Sequence, residues 1–230
     1  MRPTARERAR AELTHEIKAA AHRQLGEVGA AALSLRAVAR DVGMVSSAVY
    51  RYFPSRDALL TALIIDAFDA VGAAAERAEE TTAGEPFDAR WLAVTGAVRR
   101  WAKAVPADYA LVYGSPVPGY QAPRDTVDPA ARVSLVALRV VADGLERGEV
   151  DATPSVPVSA PVAEDLARLR TLAAPGMPDE VLARALLGWM AVFGTLSFEL
   201  FGHLHRGVDS YDDFFEHEMR RAAALVAGCD

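Results

Sequence analysis

Residues 34–63 read Ser-Leu-Arg-Ala-Val-Ala-Arg-Asp-Val-Gly-Met-Val-Ser-Ser-Ala-Val-Tyr-Arg-Tyr-Phe-Pro-Ser-Arg-Asp-Ala-Leu-Leu-Thr-Ala-Leu. Ser34 stands where an N-cap is needed, its hydroxyl placed to accept from backbone N–H groups that a first helical turn leaves unpaired. Leu35, Val38, Ala39 and Val42 follow at helical spacing, with Arg36, Arg40 and Asp41 on the opposite face. Gly43 can take positive φ at little cost, so the chain turns instead of extending the helix. The pattern predicts a second helix of about two turns from Ser46 to Phe53, closed by Pro54, because a residue before proline is pushed out of the α region. Val49 and Phe53, four apart, face inward onto Val38 and Val42.

Two short helices joined by a glycine turn, with a long helix behind them, form the helix-turn-helix arrangement that seats its second helix in a major groove. The outward residues suit that task. Ser46 and Ser47 are small enough to allow close approach to base edges, Tyr50 reaches phosphate, and the Arg51 fork matches guanine. Arg56, just past the proline, is placed to hold a phosphate. Charge agrees once the chain is divided. The whole carries a formal −6, but residues 1–56 hold ten Lys or Arg against five Asp or Glu, and residues 57–230 hold 15 against 26. A basic head on an acidic body concentrates counterion release at the head and repels phosphate elsewhere.

From about Leu13 to Leu63 the chain resembles the N-terminal domain of the TetR family of bacterial transcriptional repressors. The resemblance is carried by Tyr50-x-Tyr52-Phe53-Pro54-Ser55-Arg56-x-Ala58-Leu59-Leu60 and by Arg36-Ala-Val-Ala-Arg-Asp-Val-Gly43. It implies that Ser46, Ser47, Tyr50, Arg51 and Tyr52 face DNA, that Arg56 takes a phosphate-binding place, and that Ser34 touches the DNA backbone while capping its helix. Where the family often opens the recognition helix with Ser or Thr, this chain has Val45, so the cap shifts to Ser46 or is missing. Further on, Tyr113-Gly-x-Pro-Val-Pro-Gly-Tyr120 and Trp189-x-x-x-Phe193-Gly194-x-Leu196-Ser197-x-Glu199-Leu200 resemble one C-terminal subtype of that family, a tryptophan-His-Gly-like one that commonly has histidine where Phe193 stands here.

The expected fold class is all-α, with about nine helices or more. Residues 1–56 form a three-helix DNA-binding domain and residues 57–230 a larger helical regulatory domain with ligand pocket and dimer interface. Arg2, Arg6, Arg8 and Arg10 make a basic arm or first turn that either reaches a minor groove or sits in solvent. A first helix carries Leu13, Ile17, Ala21 and Leu25 on one face and ends near Gly26 to Gly29. Further helices are expected at 57–80, 87–103, 126–147, 161–174, 178–204 and 209–227. The helix from Asp57 starts beside the reading head and enters the body, as a lever would. Residues 105–123, rich in Pro, Gly and Tyr, form a structured loop with a short helix around 109–113. Its tyrosines either rim a small-molecule pocket or pack the loop down. The candidate ligand set is Trp91, Trp101, Tyr109, Tyr113, Tyr120 and Phe193. The 178–204 helix is apolar nearly all round, so it faces both its own domain and a second copy. Leu186, Trp189, Met190, Phe193 and Phe201, with Phe214 on the last helix, are the expected dimer contacts, half of a four-helix bundle.

No phosphate-binding glycine loop, nucleophile elbow or spaced Cys/His pattern occurs, so no cofactor and no catalytic residue is expected. His203 and His205, with Asp212, Asp213, Glu216 and His217 nearby, are the only metal-like cluster, and two-apart histidines diverge by roughly 200° on a helix. Cys229 is the single cysteine, which fits a reducing compartment. With no signal-peptide pattern and its longest apolar stretch, 185–198, short of a bilayer span, the chain reads as cytoplasmic with no membrane partner. The function so indicated is a ligand-responsive regulator, a repressor that binds a palindromic operator in double-stranded DNA as a homodimer and is released by a small-molecule inducer. An alternative is a helical small-molecule binder or enzyme whose basic head docks a protein partner. A third is a ligand-free architectural or activating DNA binder.

Overall fold

A capping box opens the chain. The Thr4 hydroxyl accepts the Glu7 N–H and the Glu7 carboxylate accepts the Thr4 N–H at 2.7 Å, so α1 (Ala5–Val28) begins with two of its orphan donors satisfied. Arg6, Arg8 and Arg10 therefore lie on a helix and not on a loose arm. The computed structural model describes residues 4–153 and 156–229, so Arg2 lies outside the described residues. Over them the chain has ten α-helices and no strand. Gly29, at φ +74°, ends α1. α2 (Leu35–Asp41) ends before Gly43, which takes φ +67°, and the Met44 N–H closes the turn onto the Ala39 carbonyl at 2.8 Å. α3 spans only Ser46–Val49; the stretch to Phe53 expected as helix continues as turns, with the Tyr52 and Phe53 N–H groups both reaching the Val49 carbonyl. α4 (Arg56–Thr81), α5 (Phe87–Ala104), α6 (Pro106–Tyr113), α7 (Val127–Glu146), α8 (Ala160–Ala173), α9 (Asp179–Leu200) and α10 (Tyr211–Ala227) follow close to their expected places.

Packing divides the chain into two compact units. The first is residues 1–68 with 105–129, so it takes in α6 and the tyrosine-rich loop besides the helices of the head. Its core joins Ile17, Ala21 and Leu25 of α1, Leu35 and Val38 of α2, Val49, Phe53, and Leu59, Leu60 and Leu63 of α4. The Val49 and Phe53 side chains are buried there beside Val38, with Val42 packed against the same cluster. Asp108 of α6 meets His22 of α1 at 2.9 Å, and fully buried Tyr109 packs α6 down.

The second unit is residues 69–104 with 130–230. Trp91 and Val98 of α5, Val133 and Val140 of α7, Leu182, Val192 and Leu196 of α9, and Met219 and Val226 of α10 are buried. Three arginines tie helices together inside it. The Arg90 side chain, 2% exposed, donates to Glu79 and Asp143 at 2.6 and 2.8 Å. Arg99 forks onto Glu199 at 2.8 and 2.7 Å and donates to Asp212. Arg132 forks onto Glu76 and reaches Asp69, and its side chain lies where a β-carbon on Gly72 would stand, only 2.8 Å away. The Arg132 bond holds the Glu76 carboxyl below the usual carboxylate range.

α4 and α9 are long and apolar enough, by length and composition, to cross a membrane when up to two charged residues are allowed, although the uncharged stretch 185–198 within α9 is shorter. Their apolar residues have work inside the fold. Leu59, Leu60, Leu63, Val71 and Ala75 of α4 and Val181, Leu182, Val192 and Leu196 of α9 are all buried in protein.

Gly188 sits where α9 meets α5 and α10. A β-carbon there would stand 2.6 Å from a Val226 methyl and 3.1 Å from the Trp91 ring. Gly26 on α1 has open space around it. Overpacking costs about 1–3 kcal/mol and a helical Gly→Ala change returns up to about 1 kcal/mol. Gly188→Ala is therefore expected to lower unfolding stability by about 1–2 kcal/mol, whereas Gly26→Ala raises it by about 0.5–1 kcal/mol; urea unfolding of the two variants checks both signs.

Candidate nucleic-acid interface

α3 is one turn long, and its surface follows from what the core takes. With Val49 and Phe53 inside, Val45, Ser47, Tyr50 and Arg51 are exposed, and Ser46 is half-buried. Val45 occupies the N-cap with an extended backbone, φ −70° and ψ 141°, and no side-chain cap is made. The cap is thus missing and does not move to Ser46, since a valine offers no oxygen. Arg36 and Arg40 of α2 are exposed as well. Ser47 on α3 and Tyr50 and Arg51 just past its end are thus all open to solvent.

Three other residues of the expected DNA set have inward duties. Arg56 donates to the carbonyls of Ala30 at 2.7 Å, Ala31 at 3.0 Å and Leu33 at 3.2 Å, and lies 3.7 Å from Asp57. These carbonyls belong to the tight connection between α1 and α2, a single 3-10 turn (Ala30–Ala32) in which the Leu33 N–H reaches the Ala30 carbonyl at 3.4 Å, and the guanidinium adds charged donors to all three. Tyr52 packs against the core of the first unit, and the Arg10 guanidinium lies 5.3 Å from its ring centre. Ser34 holds the N-cap position of α2 without a side-chain cap bond; its N–H donates to the Gln24 side chain at 3.3 Å. The hydroxyl cap expected from sequence is corrected accordingly.

The candidate ligand residues fall into both units. Tyr109 is core, its ring 5.3 Å from that of Tyr113, which meets Phe68 edge-on at 5.9 Å. Burial, with Tyr109 alongside, pushes the Tyr113 phenol well above its ordinary range. Tyr120 packs on the same unit and shares a hydrogen bond with Thr61 at 2.9 Å. These three pack the loop down, which is one of the two readings left open above. Trp91 is buried in the second unit, where Trp101 and Phe193 are half-buried, Phe193 stacked edge-on against Trp189 at 4.6 Å.

Of the expected dimer contacts, Met190 and Phe201 are exposed, while Leu186, Trp189, Phe193 and Phe214 are half-buried. Sequence reasoning passed over Leu187 and Phe198, which with Met190 and Phe201 form one exposed apolar stripe along α9 and its end. Their spacing of three, eight and three carried the signal. Beside the stripe, a groove of about 560 Å³ between α9 and α10 is lined by Leu187, Gly188, Ala191, Ala222, Leu225 and Cys229 among others. Among the described residues no group of three or more His, Cys, Asp or Glu could hold a metal, and Asp212 is engaged by Arg99 and Lys103.

Residues 17–63 match the family described as bacterial regulatory proteins, tetR family, and residues 91–222 match the tetracyclin repressor-like C-terminal domain. The HTH-type transcriptional regulator Rv1816 of Mycobacterium tuberculosis is 40% identical over 224 residues, covering 95% of this chain and 94% of that one. A crystal structure described as that of a regulatory protein, SCO4313, is similar with a TM-score of 0.78 and 35% identity, covering 95% of this chain and 98% of that one. A protein of unknown function from Rhodococcus sp. RHA1 aligns with a TM-score of 0.68 and 25% identity over 94% of each chain.

Hydrogen bonds from a charged donor are worth about 1.5–3 kcal/mol when buried and less when partly exposed. Arg56→Ala is expected to cost about 1–2 kcal/mol of unfolding stability, whereas Arg51→Ala, on the open face, stays within about 0.5 kcal/mol of the parent; chemical denaturation of the pair gives the comparison.

Proposed function

The chain belongs to the TetR family of bacterial regulatory proteins, and from that premise we propose that it represses transcription as a homodimer on a palindromic operator and is released by a small-molecule inducer. The family makes it a transcriptional regulator and not an enzyme, which disposes of the alternative of a catalytic body with a docking head. The observation that carries the reading is the exposure of Ser47 on α3 and of Tyr50 and Arg51 in the turn that follows it, all within a net-basic segment. Residues 1–56 are assigned to DNA and 57–230 to regulation. Ser46, Ser47, Tyr50 and Arg51 are the assigned base and phosphate contacts. Ser34 and Tyr52 are assigned auxiliary backbone contacts, and Arg56 supports the surface from behind, its Nη1, which lies 3.7 Å from Asp57, being the nitrogen assigned to a phosphate.

A repressor of this kind presents two recognition helices roughly 34 Å apart, one turn of duplex. The stripe of Leu187, Met190, Phe198 and Phe201 supports a second copy as its cover, because four large apolar side chains along one helix are an interaction surface and not ordinary exposure. Gly194, with open space around it, interrupts the stripe and lets a partner helix approach closely. An inducer that favours a dimer with a different head spacing would weaken DNA binding by about 1–3 kcal/mol, the usual range of such coupling. A regulator that acts on bacterial DNA is assigned to the cytoplasm.

Electrophoretic mobility shift with the DNA upstream of its own gene tests the reading. A sequence-selective, salt-sensitive complex is expected, which Arg51→Ala weakens by about 1–3 kcal/mol with relaxed specificity at one base pair of each half-site; a complex indifferent to sequence refutes it. Light scattering on Met190→Arg is expected to show monomers where the parent is dimeric, because a buried unpaired guanidinium in each subunit costs several kcal/mol.

A further inference from the structure

We propose that the Val45 side chain reads the 5-methyl group of a thymine in the major groove. The inference rests on the DNA reading above and adds a specificity contact to it. Val45 stands at a position that Ser, Thr, Asp or Asn would fill with a helix cap, and it caps nothing. It is 70% exposed, more than any other large apolar side chain among the described residues of the first unit. The exposure is set by the fold. Met44 packs against the core and donates its N–H to the Ala39 carbonyl at 2.8 Å, and with the backbone extended at Val45 the Val45 side chain points the opposite way.

The chemistry selects the occupant. Ser47, Tyr50 and Arg51 beside it supply hydroxyls and a guanidinium, which suit phosphate oxygens and the polar edges of bases. An isopropyl group can bond to neither. The apolar feature of the major-groove floor is the thymine methyl, and small apolar side chains are what contact it. Valine is β-branched and stiff at χ1, so it loses little rotamer freedom on contact.

The test uses a duplex selected from a randomised pool by the full-length protein, with each thymidine replaced singly by deoxyuridine, which removes only the methyl. One position per half-site is expected to weaken binding of the parent about fourfold, the worth of one buried methyl. Val45→Ala should bind the unmodified duplex correspondingly less well and be indifferent to uracil there. Val45→Thr, which keeps one γ-methyl, should retain part of the sensitivity. Circular dichroism and retained dependence on Arg51 show that the variants are folded and docked. The inference is overturned if no thymine methyl matters to the parent, or if the sensitive position matters equally to Val45→Ala. Failure of the parent to select any sequence overturns the DNA reading itself and is told apart by that.

Discussion

One turn of α-helix cannot hold its shape in water, because nucleation fixes several residues for a single hydrogen bond. α3 is that short, so its form depends on Val49 and Phe53 being held in the core made by α1, α2 and α4. Everything proposed for the reading face follows from this. Once those two side chains are buried, Ser47 on α3 and Tyr50 and Arg51 in the turn after it are left outward, and Gly43 sets where the exposed segment begins. The arrangement needs no cap on α3, which leaves the cap position open to a side chain chosen for contact instead of for local stability. That is the room Val45 occupies.

Arginine, 23 residues against two lysines, serves two purposes that look the same in sequence. Arg51, Arg36 and Arg40 are exposed on the head. Arg56, Arg90, Arg99 and Arg132 are internal fasteners, each bonded to carbonyls or carboxylates on other segments. The planar fork explains the preference, since it satisfies two or three acceptors from one rigid group where an ammonium would satisfy them less specifically. A charge balance along the chain therefore does not tell an exposed cation from a fastener, and Arg56, bonded to three backbone carbonyls, is a case in point.

α9 shows the same duality in apolar residues. Val181, Leu182, Val192 and Leu196 are core, while Leu187, Met190 and Phe198 are exposed on the other side of the same helix. Apolar character nearly all round is what a helix needs when it serves its own unit and a neighbour together. The two demands meet at Gly188, where contact with Trp91 and Val226 leaves no room for a methyl, and separate at Gly194, where a β-carbon would have open space around it.

The order of helices, their ends to within a few residues, the glycine turn and the inward pair Val49 and Phe53 were all legible in the sequence. Each is a local matter of spacing, capping chemistry and the conformational limits of Gly and Pro. The exposure of Ser47, Tyr50 and Arg51, the residues proposed to read DNA, was legible because it follows from the burial of their neighbours. Four things were decided only by the tertiary structure: that Arg56 turns back onto the carbonyls of residues 30, 31 and 33, that Tyr109 is core, that α6 packs with the head, and that the outer stripe of α9 runs through Leu187 and Phe198. Each depends on a partner distant in sequence. Periodicity marks which residues share a face, but which face a neighbouring helix covers is set by long-range packing.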